Sequence, residues 1–318
     1  MDIILIIICI FILLFAFFML FADADLTLLF YHTFYSPKDF GKDVVWITGA
    51  SSGIGEYLAY SLVKRNARLA LSGVNVERLQ NVKKHCLEFS KCSEDDVLLV
   101  PFSIQDFAQH EECVSKVLEH FGQIDILINN AGVSQRADFG TTDIEVDINL
   151  FNVNVFGAVN LTRKVLKHFL ERKKGHIVAT SSMAGKIGAP YSSAYTGSKH
   201  AMHGYFECLR TELIHENIQV TIACPGPVFS RITDRCVTGK VGEVYGHVQQ
   251  SSDKKMKTER CSELMVTAIA NKLDECWITF QPLLVVLYLA QYIPSFYRNF
   301  ILKRAFSKER VMKMRQGR

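Results

Sequence analysis

The sequence contains no Cys-x-x-Cys pair. Its nine cysteines (Cys9, Cys86, Cys92, Cys113, Cys208, Cys224, Cys236, Cys261 and Cys276) are scattered and odd in number. That excludes a zinc-ribbon pattern and leaves no disulfide framework, so reduced and mostly buried thiols are expected. Charge of one sign is also scarce. A net +4 over 318 residues gives no reason to expect a nucleic-acid partner. Short-period repeats and low-complexity tracts are absent. The apolar share of 49% supplies a large core and is too high for a disordered chain.

There is one long hydrophobic run, residues 3–22, whose only non-hydrocarbon side chains are the sulfur-bearing Cys9 and Met19. Twenty helical residues rise about 30 Å, the thickness of a bilayer's hydrocarbon core. Ala22-Asp23-Ala24 has the form of a signal-peptide cleavage site. The run is nevertheless longer than a signal h-region, and no basic residue precedes it, which favours an uncleaved anchor. The first basic residues beyond it, Lys38 and Lys42, favour a cytosolic body by the positive-inside rule but do not fix the orientation. Near the other end, residues 283–293 are apolar and stop at Pro294. Eleven residues do not span a bilayer, so a packing helix and a membrane-surface contact both fit. The tail 303–318 carries seven basic residues and one acid, Glu309. It suits an anionic lipid surface or a solvated terminus.

Between these ends, six short apolar runs alternate with longer amphipathic stretches, at 44–47, 68–71, 97–100, 124–128, 176–180 and 219–223. Buried strands alternating with helices predict a doubly wound parallel α/β sheet in one domain. Residues 23–42 read as a connector, and the glycine-rich stretch 231–258 as a mobile insertion. The glycosylation triplet Asn160-Leu161-Thr162 falls inside an apolar helical pattern and is not expected to be an acceptor.

Four motifs carry chemistry. The first run ends in Thr48-Gly49-Ala50-Ser51-Ser52-Gly53-Ile54-Gly55 and opens a helix. Glycines there admit a tight turn and bring backbone N–H groups and a helix N-terminus to a pyrophosphate. Asn129-Asn130-Ala131-Gly132 follows the fourth run, and Pro225-Gly226-Pro227-Val228 follows the sixth. Tyr195-Thr196-Gly197-Ser198-Lys199 places a phenol and an ammonium on one helix face. A phenol with an ordinary pKa of about 10 needs such help to move protons near neutrality. Chance alone supplies pairs of this spacing, and Tyr60–Lys64 is a second one. Tyr195 is distinguished by lying 13 residues after Ser182, just past the fifth run, where catalytic groups of such sheets collect. Tyr60 reads as a packing or surface residue.

These motifs resemble the short-chain dehydrogenase/reductase (SDR) superfamily over roughly residues 43–280. The resemblance implies a Rossmann fold flanked by a transmembrane anchor at 1–22, a connector at 23–42 and a basic helical extension at 281–318. It implies that Tyr195 is the general acid and base, that Lys199 holds the nicotinamide ribose and depresses the Tyr195 pKa, and that Ser182 polarises the substrate oxygen in preference to Ser181. Asn154 would hold a relay water behind Lys199. Cofactor contacts would come from Thr48, Gly49, Ser51, Ser52, Gly53, Ile54, Gly55, Ser103, Asn130, Ala131, Gly132, Tyr195, Lys199, Pro225, Gly226 and Val228.

Further segments narrow the likeness: Asp25-Leu26-Thr27-Leu28-Leu29, Ser134-Gln135-Arg136, Leu209-Arg210-Thr211-Glu212-Leu213 and Trp277-Ile278 with Gln281-Pro282. They are similar to the member-seven group of dehydrogenase/reductase SDR proteins. That group comprises microsomal enzymes that reduce steroids, retinals and other lipophilic carbonyls with NADPH. An endoplasmic-reticulum location, a lipophilic carbonyl or alcohol substrate and a homodimer follow as expectations, with no metal. Two positions depart from the pattern. Val74 stands where an acid would select NAD and an Arg would select NADP, and Ser103 replaces the Asp that usually meets the adenine. NADP(H) is favoured because no carboxylate repels a 2′-phosphate. The rival reading, motivated by the same two positions, is a nucleotide-binding scaffold with little turnover.

Overall fold

The computed structural model describes residues 20–35, 39–232, 235–246 and 253–307, with the single positions 5, 7, 309 and 311. Most of the expected anchor and most of the basic tail lie outside the described residues. Among the described residues no helix is long and apolar enough to cross a membrane.

Seven strands form one parallel sheet in the order β3-β2-β1-β4-β5-β6-β7. They are β1 (Val44–Thr48), β2 (Arg68–Ser72), β3 (Val97–Leu99), β4 (Ile126–Asn129), β5 (Gly175–Thr180), β6 (Ile218–Pro225) and β7 (Glu275–Ile278). Every residue of β1 and of β5 is buried, as a parallel sheet covered on both faces requires. Six strands fall on the six apolar runs. The seventh, Glu-Cys-Trp-Ile, is short and opens on an acid, so its sequence does not announce a strand. It pairs with β6 through Cys224 opposite Trp277.

The covering helices are α1 (Leu26–Phe34), α2 (Gly53–Val63), α3 (Val76–Phe89), α4 (His110–Phe121), α5 (Ile144–Phe151), α6 (Gly157–Arg172), α7 (Ser193–Glu212), α8 (Thr258–Ala270) and α9 (Leu283–Tyr292). A π-helical turn, Asn152–Phe156, joins α5 to α6. At the N-terminal end of the sheet, the Asp125 carboxylate accepts from the Val44 N–H at 2.8 Å and pairs with Arg172 at 3.0 Å. Burial pushes this carboxyl up, but the Val44 N–H and the Arg172 guanidinium outweigh it and hold the pKa below 3.8. In the glycosylation triplet, Thr162 is buried and accepts from the Asn129 amide at 2.9 Å. The eight described cysteines are free thiols, and only Cys92 and Cys208 are not buried.

Two segments differ from the sequence reading. Within 23–42, residues 26–34 form α1, because Asp25 caps it by accepting from the Leu28 N–H at 2.9 Å. Asp25 also exchanges two hydrogen bonds with Trp277 of the edge strand. The Asp25 N–H donates to Trp277 O at 2.8 Å, and Asp25 Oδ2 accepts from Trp277 N at 2.7 Å. Asp23 pairs with Arg260 of α8 at 2.7 Å. The described parts of 231–258 are likewise tied down. Val237 N donates to Ser134 O and Arg136 N to Val237 O, at 3.0 and 2.8 Å. Asp143 N donates to Gly239 O at 2.8 Å, and Met256 pairs with Val228. Residues 233–234 and 247–252 lie outside the described residues.

Candidate active site

The strand order reverses between β1 and β4, and the crevice beyond their carboxyl ends is where such sheets take ligands. Thr48 closes β1 and stitches the two strands together. Its Oγ1 accepts from Asn130 N at 3.0 Å and Ala131 N at 3.1 Å. The Asn130 amide returns the contact, donating to Thr48 O at 3.1 Å and Gly49 O at 3.3 Å. Gly49 has φ +65°, and a Cβ there would lie 2.8 Å from Ala131 Cα. At Gly55 a Cβ would lie 2.4 Å from Gly49 O. Only glycine permits this approach.

The turn delivers the N-terminus of α2 into the crevice. Its N-cap, Ser52, makes no side-chain cap bond, and helix geometry leaves the first-turn N–H groups around Gly53 and Ile54 without intrahelical acceptors. Ser51 is buried against Gly73, and Ser230 stands over Gly53. An uncapped helix end in a glycine cradle fits a dinucleotide pyrophosphate. Ser103 sits half-buried in the loop after β3, away from the reacting groups, and its carbonyl accepts from Asp106 N at 2.9 Å. Val74, just past β2, is 59% exposed. The Asn75 side chain is committed to capping α3, accepting from Arg78 N at 2.8 Å.

The carboxyl end of β5 brings the second group together. Ser182 Oγ donates to Pro225 O at 3.3 Å and accepts from Ala184 N at 3.1 Å, and its hydroxyl is near enough to Tyr195 to favour the phenolate. Ser181 is turned inward and donates to Lys199 O at 3.1 Å, which leaves Ser182 as the serine facing Tyr195. Lys199 is buried, and its Nζ donates to Thr180 O at 2.8 Å. Burial lowers its pKa from 10.5 to about 8. Gly226 N donates to Ile278 O at 2.8 Å, fixing the Pro225–Val228 turn above Ser182.

Asn154 lies on the π-helical turn, whose extra residue rotates it into the core. Its Oδ1 accepts from Val133 N at 2.8 Å, and its Nδ2 donates to Val133 O and Ser198 Oγ, each at 3.0 Å. Asn154 and Lys199 both border Gly132, whose added Cβ would lie 3.2 Å from Asn154 Oδ1 and 3.7 Å from Lys199 Nζ.

One expectation is corrected. The Tyr195 pKa is raised, not depressed. Burial dominates, and the nearby Ser182 hydroxyl and the Arg136 charge only partly oppose it. Lys199 sits 5.8 Å from the ring centroid and spends its proton on Thr180 O. The cation that acts on Tyr195 is Arg136, which sequence reasoning noted only as part of a likeness. Its guanidinium hydrogen-bonds Ser192 Oγ and reaches Pro190 O at 3.4 Å. Gln135, fully buried, braces the start of α7 by accepting from Ser192 Oγ and Ala194 N. A polar triplet beginning two residues past a glycine motif is the only sequence signal for either.

A phenol, a serine hydroxyl and an ammonium converging beside a dinucleotide cradle can exchange a proton with a carbonyl oxygen. Comparison with known proteins agrees. Residues 43–240 match the family model "short chain dehydrogenase". The chain is 42% identical over 299 residues to the human dehydrogenase/reductase SDR family member 7, covering 93% of this chain and 87% of that protein. It is 34% identical over 270 residues to the Drosophila melanogaster SDR family protein 7-like, covering 85% and 82%. In fold it is similar to a Burkholderia phymatum short-chain dehydrogenase/reductase in complex with NAD. That likeness has a TM-score of 0.70 at 24% identity, over 82% of this chain and 97% of the other. A Thermococcus sibiricus alcohol dehydrogenase complexed with 5-hydroxy-NADP gives 0.64 at 22%, over 74% and 95%. The chain belongs to the short-chain dehydrogenase/reductase family. It is an oxidoreductase of the CH–OH class, taking a small-molecule substrate and a nicotinamide nucleotide.

Proposed function

We propose that this oxidoreductase is a membrane-anchored, NADP(H)-dependent enzyme of the endoplasmic reticulum. It interconverts carbonyls and alcohols of lipophilic substrates such as steroid, retinoid or xenobiotic carbonyls. The observation that carries the chemistry is the convergence of Ser182 and Tyr195 at the carboxyl end of β5, with the buried Lys199 beside the Tyr195 ring. A bound nicotinamide nucleotide would supply the hydride. The protein's part is to hold the substrate oxygen between the Ser182 hydroxyl and the Tyr195 phenol, and to pass it a proton from Tyr195 in reduction or receive one in oxidation. Lys199 would hold the ribose hydroxyls and Asn154 a relay water, a reading supported by both side chains bordering Gly132. Thr48–Gly55, Asn130–Gly132 and Pro225–Val228 would hold the nucleotide.

The NADP preference is supported by the exposed Val74 and the absence of a carboxylate at the end of β2. The lipophilic substrate is supported by the 20-residue apolar run, which would keep the enzyme where such molecules dissolve. Exposed Ile144 and Ile148 on α5, which packs beside α7, support a homodimer. Fluorescence titration of the purified protein with NADPH and NADH tests the cofactor. Tighter NADPH binding is expected, and tighter NADH binding would overturn the assignment.

A further inference from the structure

Two elements beside the β7 edge leave aromatic side chains facing solvent. On α1, Phe34 is 70% exposed, and Phe30 packs on it at 5.2 Å while itself exposed. Along α9 and the turns after it, Tyr292 is 75% exposed, and Phe296 and Phe300 stack at 5.2 Å with both rings exposed. The two elements meet where Leu26 N donates to the Tyr288 hydroxyl at 3.3 Å. Residues 283–307 contain no acid and three cations, Arg298, Lys303 and Arg304, all exposed. Aromatic rings interleaved with basic groups on a helical surface match the headgroup–acyl boundary of an anionic leaflet.

The occupant is fixed by where the chain goes next. The apolar run ends at Ala22, which is buried on the body. Asp23 and Asp25 are clamped to Arg260 and Trp277, so no slack separates the run from α1. If residues 3–22 are embedded in a bilayer, the headgroups lie within a few residues of this face. The extension also touches the site. Gln291 donates to Lys186 O at 3.2 Å, in the loop between Ser182 and Tyr195, across a cavity of about 330 Å³.

We propose that α1, α9 and the chain through Ala305 form an interfacial patch that lies on the surface of the membrane holding the apolar run. This rests on the anchored reading above and adds that the body is docked flat, with the catalytic loop beside the lipid. The test uses the full chain in a Cys9→Ala, Cys92→Ser, Cys208→Ser background, reconstituted in phosphatidylcholine vesicles with and without phosphatidylserine. An environment-sensitive label is placed at Tyr292→Cys, at Phe34→Cys or at Ile214→Cys, an exposed site in the turn before β6.

Shallow spin-labelled lipid is expected to quench the labels at 292 and 34 several-fold more than the label at 214. Phosphatidylserine should enhance the effect at 292, and Arg298→Glu with Lys303→Glu and Arg304→Glu should reverse that enhancement. Equal quenching at all three sites in a chain that still floats with vesicles after carbonate would overturn the docking and leave the anchor standing. Failure to float would overturn both. Self-quenching at 292 that persists in detergent would show a second copy covering the patch, and would also overturn the proposal.

Discussion

Helices α2 and α7 each carry a tyrosine followed four residues later by a lysine, and only one pair sits in a site. On α2 the Tyr60 hydroxyl donates to Glu56 at 3.0 Å, and burial together with that carboxylate raises its pKa further. Lys64 is exposed and lies 5.9 Å over the Phe89 ring. On α7 the lysine is buried and bonded to a strand carbonyl, and the tyrosine meets a serine from the neighbouring strand. The helix supplies the spacing in both cases. The carboxyl end of β5 supplies what makes one of them chemical.

The largest test of that contrast is Tyr195→Phe. Loss of the proton donor should lower kcat by 10² to 10⁴, on the order of 3–5 kcal/mol of barrier, with nucleotide binding near normal. Tyr60→Phe should leave turnover unchanged and cost about 0.5–1.5 kcal/mol of stability through one lost hydrogen bond. Steady-state kinetics and urea melts separate the two, and equal loss of activity would erase the distinction.

The lysines differ next, in their pH dependence. The folded pKa of Lys199 is lowered to about 8 from 10.5. Between those values the unfolded chain holds the proton and the folded one does not. Stability therefore rises with pH across that window, by at most about 3 kcal/mol. Denaturation midpoints measured at its two ends should show the rise in the parent and lose it in Lys199→Met, while Lys64→Met leaves it intact. The smallest effect concerns a glycine in each helix. Gly55→Ala forces a Cβ into Gly49 O and should cost about 1–3 kcal/mol together with nucleotide binding. Gly204→Ala, with nothing within 4 Å, should gain about 0.5–1 kcal/mol. Thermal melts with and without nucleotide check both.

Much of this was legible in the residues. Six strands lay in apolar runs because a sheet covered on both faces leaves no room for alternation. The glycine turn and the serine–tyrosine spacing also read correctly as neighbours in space. What was hidden depends on partners far along the chain. Helix α1 exists where a connector was expected because Asp25 finds Trp277, 252 positions away. The segment after β6 is fastened because Val237 meets Ser134. The Tyr195 pKa follows burial and Arg136, neither of which the four-residue spacing encodes.

The Asp25 clasp has a consequence for the sheet itself. Strand β7 is an edge, and an uncovered edge invites pairing with another chain. Asp25 answers with one backbone donor and one side-chain acceptor on Trp277, so a single residue from the far end of the sequence acts as a cap on the sheet's open margin. A chain shortened to begin at Asp23 keeps that guard, whereas one shortened to begin at Asp39 bares Trp277 and hands the margin to its neighbours. The few residues before α1 thus bear on colloidal behaviour as much as on targeting.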